Sequence, residues 1–551
     1  MIRIMDFDIL IKNGILVDGD AHNKSHVDIG IRNEKIGVVQ PNLESKADVV
    51  LDAENLIVVP GFIDMHSHSD FIIPVVGSAD SFIRQGITTA VAGMCGSSLA
   101  PINPQNRDEF IREMISSSPL LSDVEISWNT FDQYLNEMER IQTSINLAFV
   151  VGYESLRIGG GAGFEKRFPT KREIEVMKQL LGDAMSSGAF GMSTGLIYAP
   201  QVFAETSEII ELAKILARYD GLYFSHIRGE GASVFDAILE VERIVHESGC
   251  RGGHIAHHKI ADKNLWGQSS KSLGLIHSIN KRGISITVDS YPYDRGCSSL
   301  ITALPPWARE GGVEESIKRV RDENTRRRII SEVEENINED TSAIWENWIN
   351  TAGFENIFVS TVESEKWDDI TGLSITEISQ TKGLDEWDVF FNILQDDNGA
   401  TMVTLRFMSE VDVRRIMTSE YHMFGTDGMA TTPDYKSGID HPRSYGTYPR
   451  ILRKYVREEG LLSLRNAIAK MTTIPANRLG LPDRGRINPG CWADLVIFDH
   501  KTISDTATYE NPTRFPVGIR YVIVNGKIVV ENNSQCRIFP GRVLRFKSPL
   551  F

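Results

Sequence analysis

The stretch Pro60-Gly61-Phe62-Ile63-Asp64-Met65-His66-Ser67-His68 decides how the rest of the chain is read. Its apolar run predicts a strand, and two histidines stand two residues apart at the strand's end. Side chains i and i+2 of a strand project to one side. His66 and His68 can therefore offer two imidazoles to a single point. Imidazole is the commonest neutral metal ligand near pH 7, and the pair is half of a zinc-type site.

Upstream of that stretch, residues 7–59 read as short alternating strands punctuated by Asn13-Gly14 and Asp18-Gly19, the texture of a small β-sandwich or barrel. Downstream, the pattern becomes apolar strand, loop and amphipathic helix, repeated. Eight strand ends follow: 66–68, 90–95, 149–152, 190–193, 222–226, 254–257, 286–289 and 422–427. Eight strands with helices between them predict an α/β fold, a (β/α)8 TIM-like barrel, whose chemistry lies at the C-terminal strand ends. About 294–421 is too long for one crossover and is expected to be an insertion after the seventh strand, covering the mouth. It holds a charged helical stretch, 314–347, and a strand-like run, 402–405. The small-domain texture returns at 493–498 and 521–529. The expected domains are thus 1–59 and 481–551, the two parts of a small β domain built from both termini, with the metal-dependent barrel at 60–480 between them.

Composition narrows the functional classes. Of 551 residues, 41% are hydrophobic and 24% charged, ordinary for a soluble globular chain. The net charge of -16 argues against a nucleic-acid or anionic-membrane partner. Five scattered cysteines are no disulfide framework and fit a reducing compartment. Without a signal-peptide pattern or a long apolar span, the reading is cytoplasmic.

Four further strand ends carry ligand-type residues. Cys95 lies in the bend Gly93-Met94-Cys95-Gly96, His226 ends the fifth strand, His257 ends the sixth, and Asp427 sits in Gly425-Thr426-Asp427-Gly428. His254 and His258 lie at odd separations from His257 and are read as facing away from it. Taken singly, Cys95 fits core packing, His226 a satisfied buried histidine and Asp427 a turn. Together, N, S and O donors converging on one barrel mouth are what zinc binds.

At these residues the chain resembles the amidohydrolase superfamily and, within it, the N-acyl-D-amino-acid deacylases, or D-aminoacylases. The segments that carry the resemblance include Pro60 to His68, Gly93 to Pro101, Ser193-Thr194-Gly195-Leu196-Ile197-Tyr198, Ser225-His226-Ile227-Arg228 and His257-His258-Lys259. Later ones are Tyr291-Pro292-Tyr293, His441-Pro442-Arg443 and Ala493-Asp494-Leu495-Val496. The resemblance implies one zinc held tightly by Cys95, His226 and His257, and a second, weaker position near His66, His68 and Asp427. Many superfamily members bridge two metals with a carboxylated lysine on the fourth strand. That strand here, Phe190-Gly191-Met192-Ser193, has no lysine, and a Cys95 thiolate would supply the missing negative ligand.

The implied reaction is zinc-dependent hydrolysis of N-acyl-D-amino acids, or of peptides ending in a D-residue, with Asp427 as general base and then acid. By resemblance, Tyr198, Lys259, Tyr291 and Arg443 would hold the α-carboxylate of this small-molecule substrate. The family's serine after Tyr-Pro-Tyr is replaced by Cys297; either Ser298 beside it substitutes or that contact is absent. Arg295, Arg309 and Arg406 are candidates to select acidic side chains. The alternatives are a cyclic-amide hydrolase of hydantoinase or dihydroorotase type, which normally needs the absent lysine, and a non-catalytic assembly protein, which would have lost ligands that this chain keeps. The run Gly159-Gly160-Gly161-Ala162-Gly163 lacks phosphate-loop spacing and is expected to be a mobile loop over the mouth.

Overall fold

The computed structural model describes residues 6–19, 24–117, 121–122, 124–335, 345–434 and 441–548. Eight parallel strands form the barrel: β1 (Phe62–Asp64), β2 (Ile87–Ala92), β3 (Asn146–Phe149, continuing as Val151–Gly152), β4 (Gly191–Gly195), β5 (Leu222–His226), β6 (Gly252–Ile255), β7 (Ile286–Ser290) and β8 (His422–Phe424). Hydrogen bonding runs in that order, and β8 returns to β1 through Met65 N–H to Phe424 O at 3.2 Å and a parallel bridge between Ser67 and Gly428. Ile63, Met65, Val91, Ala148, Phe190, Leu222, Phe224 and Met423 fill the interior, so the barrel is a packed core with its chemistry confined to one end.

Local sequence explains the surrounding helices. Thr170 and Glu173 form a reciprocal cap at the start of Lys171–Ser187, and Gly188 closes that helix in the left-handed conformation. The glycine run at 159–163 departs from expectation. It is the C-terminus of helix Tyr153–Gly160, capped by left-handed Gly161, rather than a loop over the mouth. Glycines there end a helix because only they adopt the cap conformation without strain.

Both ends of the chain enter one nine-stranded sheet. Leu495–Phe498 lies antiparallel to Ile57–Pro60, with Val496 opposite Val59, and so joins the N-terminal strands to the C-terminal ones. Its core includes Ile11, Ile29, Val58, Leu495, Ile497 and Ile523. The last strand, Val543–Leu544, goes elsewhere: it pairs with Leu147 and Ala148 of β3, and Phe546 packs on Phe190 inside the barrel core. Between β7 and β8, Gly296–Ser299, Met402–Leu405 and Ile357–Thr361 build a separate antiparallel sheet. Of the charged stretch at 314–347, residues 336–344 lie outside the described residues. Among the described residues, no helix is long and apolar enough to cross a membrane.

Candidate metal centre and its cavity

The ligand-type side chains are delivered by unusual backbone at the strand ends. Cys95, His257 and Asp427 follow β2, β6 and β8 with φ of +54°, +34° and +51°. Left-handed backbone costs a non-glycine residue on the order of 1–3 kcal/mol and persists only where the surroundings impose it. Here they do. A Cβ on Gly195 would lie 2.1 Å from the Cys95 carbonyl oxygen, so a glycine at the end of β4 lets that bend close in. Gln201 ties the contact by donating to Cys95 O at 3.1 Å and accepting from Gly195 N–H at 2.6 Å. Asp64 joins β1 to β8 by accepting from His66 N–H (3.0 Å), Thr426 N–H (2.9 Å) and Thr426 Oγ1 (2.6 Å).

Two overlapping groups of donor atoms result, each within 4.8 Å: Cys95, His226 and His257, and His66, His68, Cys95 and Asp427. All six residues expected to ligate metal thus lie together. Cys95 Sγ is 3.4 Å from His66 Nε2 and 3.5 Å from His257 Nε2. Burial pushes the thiol up, but the His66 and His257 charges and the neighbouring His226 and His257 rings hold Cys95 well below the usual thiol range. Asp427 Oδ1 lies 3.3 Å from His66 Nε2 and 3.1 Å from His68 Nε2, and Oδ2 accepts from Arg443 Nη1 at 2.7 Å. Burial pushes this carboxyl up as well. Arg443, His66, His257 and the His68 hydrogen bond outweigh that and hold it well below the carboxylate range.

Behind the donors stand acids that sequence reasoning missed. Glu230 Oε1 is 2.9 Å from His257 Nδ1 and accepts from Lys259 Nζ at 2.6 Å. Asp289 Oδ2 faces His254 Nε2 at 2.8 Å and His66 Nδ1 at 3.4 Å, while its Oδ1 accepts from His257 N–H at 2.9 Å. Such partners orient ligating imidazoles and fix which nitrogen is free. The one signal for Glu230 was its place four residues after His226; Asp289 is the penultimate residue of β7, two before Tyr291. His254 serves Asp289 and His258 bonds Ser272 Oγ at 2.9 Å, in keeping with their being left out as ligands.

A cavity of about 250 Å³ opens beside the centre, lined by His68, Cys95, Asp427, Tyr198, Ser298 and Arg443 among others. Much of its remaining wall comes from the insertion, including Cys297, Ile301, Arg309, Val313 and Met402. Ser298 and Tyr198 share this wall. Lys259 and Tyr291 do not line this space. Lys259 Nζ is held by Glu230 and lies 2.7 Å from His257 Nδ1, and the Tyr291 ring packs against the Arg443 guanidinium at 5.0 Å. Of the three arginines considered for selectivity, Arg295 stacks on Phe358 and Tyr509, and Arg406 pairs with Asp294. Arg309 is buried in the cavity wall, donates to Ile197 O at 2.8 Å, and leaves Nε without a partner.

The donor set fits a zinc ion. Thiolate, imidazole and carboxylate are zinc ligands, and both ring nitrogens of buried His226 lack any hydrogen-bond partner. Buried imidazoles rarely go unsatisfied; a metal ion beside Cys95 and His257 would satisfy this one.

Known proteins agree with this architecture. The pattern of the Amidohydrolase family matches residues 49–530. N-acyl-D-glutamate deacylase of Alcaligenes xylosoxydans xylosoxydans is 33% identical, over 98% of this chain and 96% of its own. The D-aminoacylase studied for the role of its binuclear metal centre, with one-metal activation and second-metal attenuation, superposes with a TM-score of 0.80 at 31% identity, covering 98% of this chain and all of its own. N-acyl-D-glutamate deacylase of Bordetella bronchiseptica, solved with zinc and a phosphonate that mimics the tetrahedral intermediate, gives 0.81 at 29%, over 98% and 100%. The chain belongs to the Amidohydrolase family and is a hydrolase.

Proposed function

We propose that the protein hydrolyses the amide bond of N-acyl-D-amino acids, using zinc at the barrel mouth. The observation that carries this reading is the meeting of Cys95, His226 and His257 with His66, His68 and Asp427, beside a cavity that Arg443 lines. Zinc would be held tightly by the first three and more weakly by the others. When bound it supplies a Lewis acid for the carbonyl and an acidified water.

The chain's own residues do the rest. Asp427, kept ionised by Arg443 and the imidazoles, takes the attacking water's proton at Oδ1 and returns it to the leaving nitrogen. The oxygen ends on the acyl carbon, and the products are a carboxylate and a free D-amino acid. Arg443 Nε is buried without a partner, and it receives the substrate's α-carboxylate together with Tyr198 and Ser298. Lys259 acts by positioning Glu230 and His257, and Tyr291 by packing on Arg443. Arg309 pairs with no carboxylate among the described residues, which favours an acidic D-side chain. β4 has no lysine to bridge two metals, which disfavours a cyclic-amide hydrolase. None of the five cysteines forms a disulfide among the described residues, which fits a reducing compartment such as the cytoplasm.

Zinc-loaded protein should cleave N-acetyl-D-glutamate faster than N-acetyl-D-leucine, leave both L-enantiomers and a hydantoin intact, and stop on chelation. Equal turnover of D and L substrates, or cleavage of the hydantoin, would overturn this function.

A further inference from the structure

The acid behind the inner imidazoles is itself held by a distant part of the chain. Glu230 stands in the loop Arg228-Gly229-Glu230-Gly231 that follows β5. Its carboxylate faces His257 Nδ1 at 2.9 Å, His226 Nε2 at 3.5 Å and Lys259 Nζ at 2.6 Å. A carboxylate on a loop stays aimed only where the peptide that carries it is fixed. The carbonyl of Glu230 is fixed by Ala261, whose N–H donates to it at 2.8 Å. The N–H groups of Glu230 and Gly231 both donate to a single oxygen, Oε1 of Glu346, which lies 116 residues beyond Glu230.

Glu346 belongs to the insertion between β7 and β8 and has no part in the reaction just described. Its surroundings anchor it. Glu346 O accepts from Trp348 N–H at 3.0 Å, and Asn347 caps the helix Trp348–Ala352 while donating through Nδ2 to Val333 O at 2.8 Å. The Trp348 ring stacks on Phe407. The loop is shaped to receive the carboxylate. A Cβ on Gly229 would lie 3.2 Å from Glu346 Oε1, and one on Gly231 3.4 Å, so glycines on both sides of Glu230 leave that oxygen room to reach two N–H groups. An acceptor for two adjacent peptide donors does for this loop what a ladder partner does for a strand.

We propose that Glu346 is a positioning residue of the metal centre. By holding the Glu230–Gly231 peptide it sets where the Glu230 carboxylate meets His226 and His257, and so how tightly those imidazoles hold zinc. This rests on the reading of Cys95, His226 and His257 as the tight zinc position. The insertion then has a second task besides walling the cavity. The action is one of geometry: an amide oxygen in the same place accepts both N–H groups, whereas an aspartate is one methylene too short to reach them.

Competition with a graded chelator measures the zinc affinity of each folded protein. Glu346→Ala should hold the tighter zinc about tenfold more weakly than wild type, the low end of what losing support behind a ligating imidazole costs. Glu346→Asp should lose nearly as much, and Glu346→Gln should stay within about twofold of wild type. Turnover by Glu346→Ala should fall at limiting zinc and recover in excess zinc, with KM unchanged. A side chain that only props the fold would move thermal stability and leave the affinity alone. Where Glu346→Ala fails to fold, the Asp and Gln variants decide. Wild-type affinity in every folded Ala or Asp variant overturns the proposal and leaves the metal reading intact. So does a Gln variant as weak as the Asp one, since charge rather than position would then be at work. Wild-type protein that binds no zinc overturns the metal reading itself.

Discussion

Cys95, His226 and His257 lie deep, 5%, 3% and 2% exposed, and the two imidazoles lean on one buried acid, Glu230. His68 and Asp427 face the cavity, and Asp427 is already bound by Arg443 and two imidazoles. The charge balance differs accordingly. In the inner group Glu230 is already paired with Lys259, and among the described residues only imidazoles meet the Cys95 sulfur. In the outer group Asp427 has a permanent cation, the Arg443 guanidinium, as its partner. Unit charges 4 Å apart interact by about 4 kcal/mol at an effective dielectric of 20, so a metal ion that displaces imidazole protons gains more beside Cys95 than beside Asp427. The two halves of the proposed centre would differ in zinc affinity for that reason.

The sharpest way to break that contrast is Cys95→Ala. It should empty the inner group, taking bound zinc from about one per chain to near none and turnover with it. Metal analysis beside activity decides the matter, and a variant that keeps its zinc would sink the inner-group assignment. Next comes Asp427→Asn, expected to keep zinc and lower kcat by roughly 10²–10⁴-fold, the usual contribution of a positioned base. Near wild-type kcat would remove Asp427 from that role. Glu230→Gln should then weaken zinc binding by roughly 10–100-fold, as loss of a partner behind a ligating imidazole does; competition with a graded chelator measures it, and an unchanged affinity would show that Glu230 does not orient His257. The smallest effect is expected from His68→Ala. It should erase the weaker step of a calorimetric zinc titration and spare the tighter one, and loss of the tight step would mean that the two halves are not separable.

Much of the barrel was legible because its strands are short apolar runs ending in chemically distinctive residues. His66-Ser67-His68, His226 and Gly425-Thr426-Asp427 each mark a strand end by residue type alone. The acids behind them were not legible. Glu230 sits in a charged loop, Arg228-Gly229-Glu230, that looks like any solvated turn, and nothing local shows that Lys259 and His257 close on it from the next strand. Glu113 looks like one more charge on a helix until the fold puts it, with Glu154, in the wall of one cavity. The glycine run was misjudged because a helix C-terminus and a mobile loop ask for the same residue, the one free to adopt positive φ.

What the sequence by itself determined is the alternation of strand and helix and the choice of six candidate donors, since hydrophobic periodicity and side-chain chemistry are local properties. Tertiary structure alone decided which donors share a charge balance, that the insertion walls the cavity, and that Lys259 serves an imidazole. Those depend on distances between residues far apart in the chain, and Coulomb energy and desolvation respond to distance and burial rather than to order along the backbone.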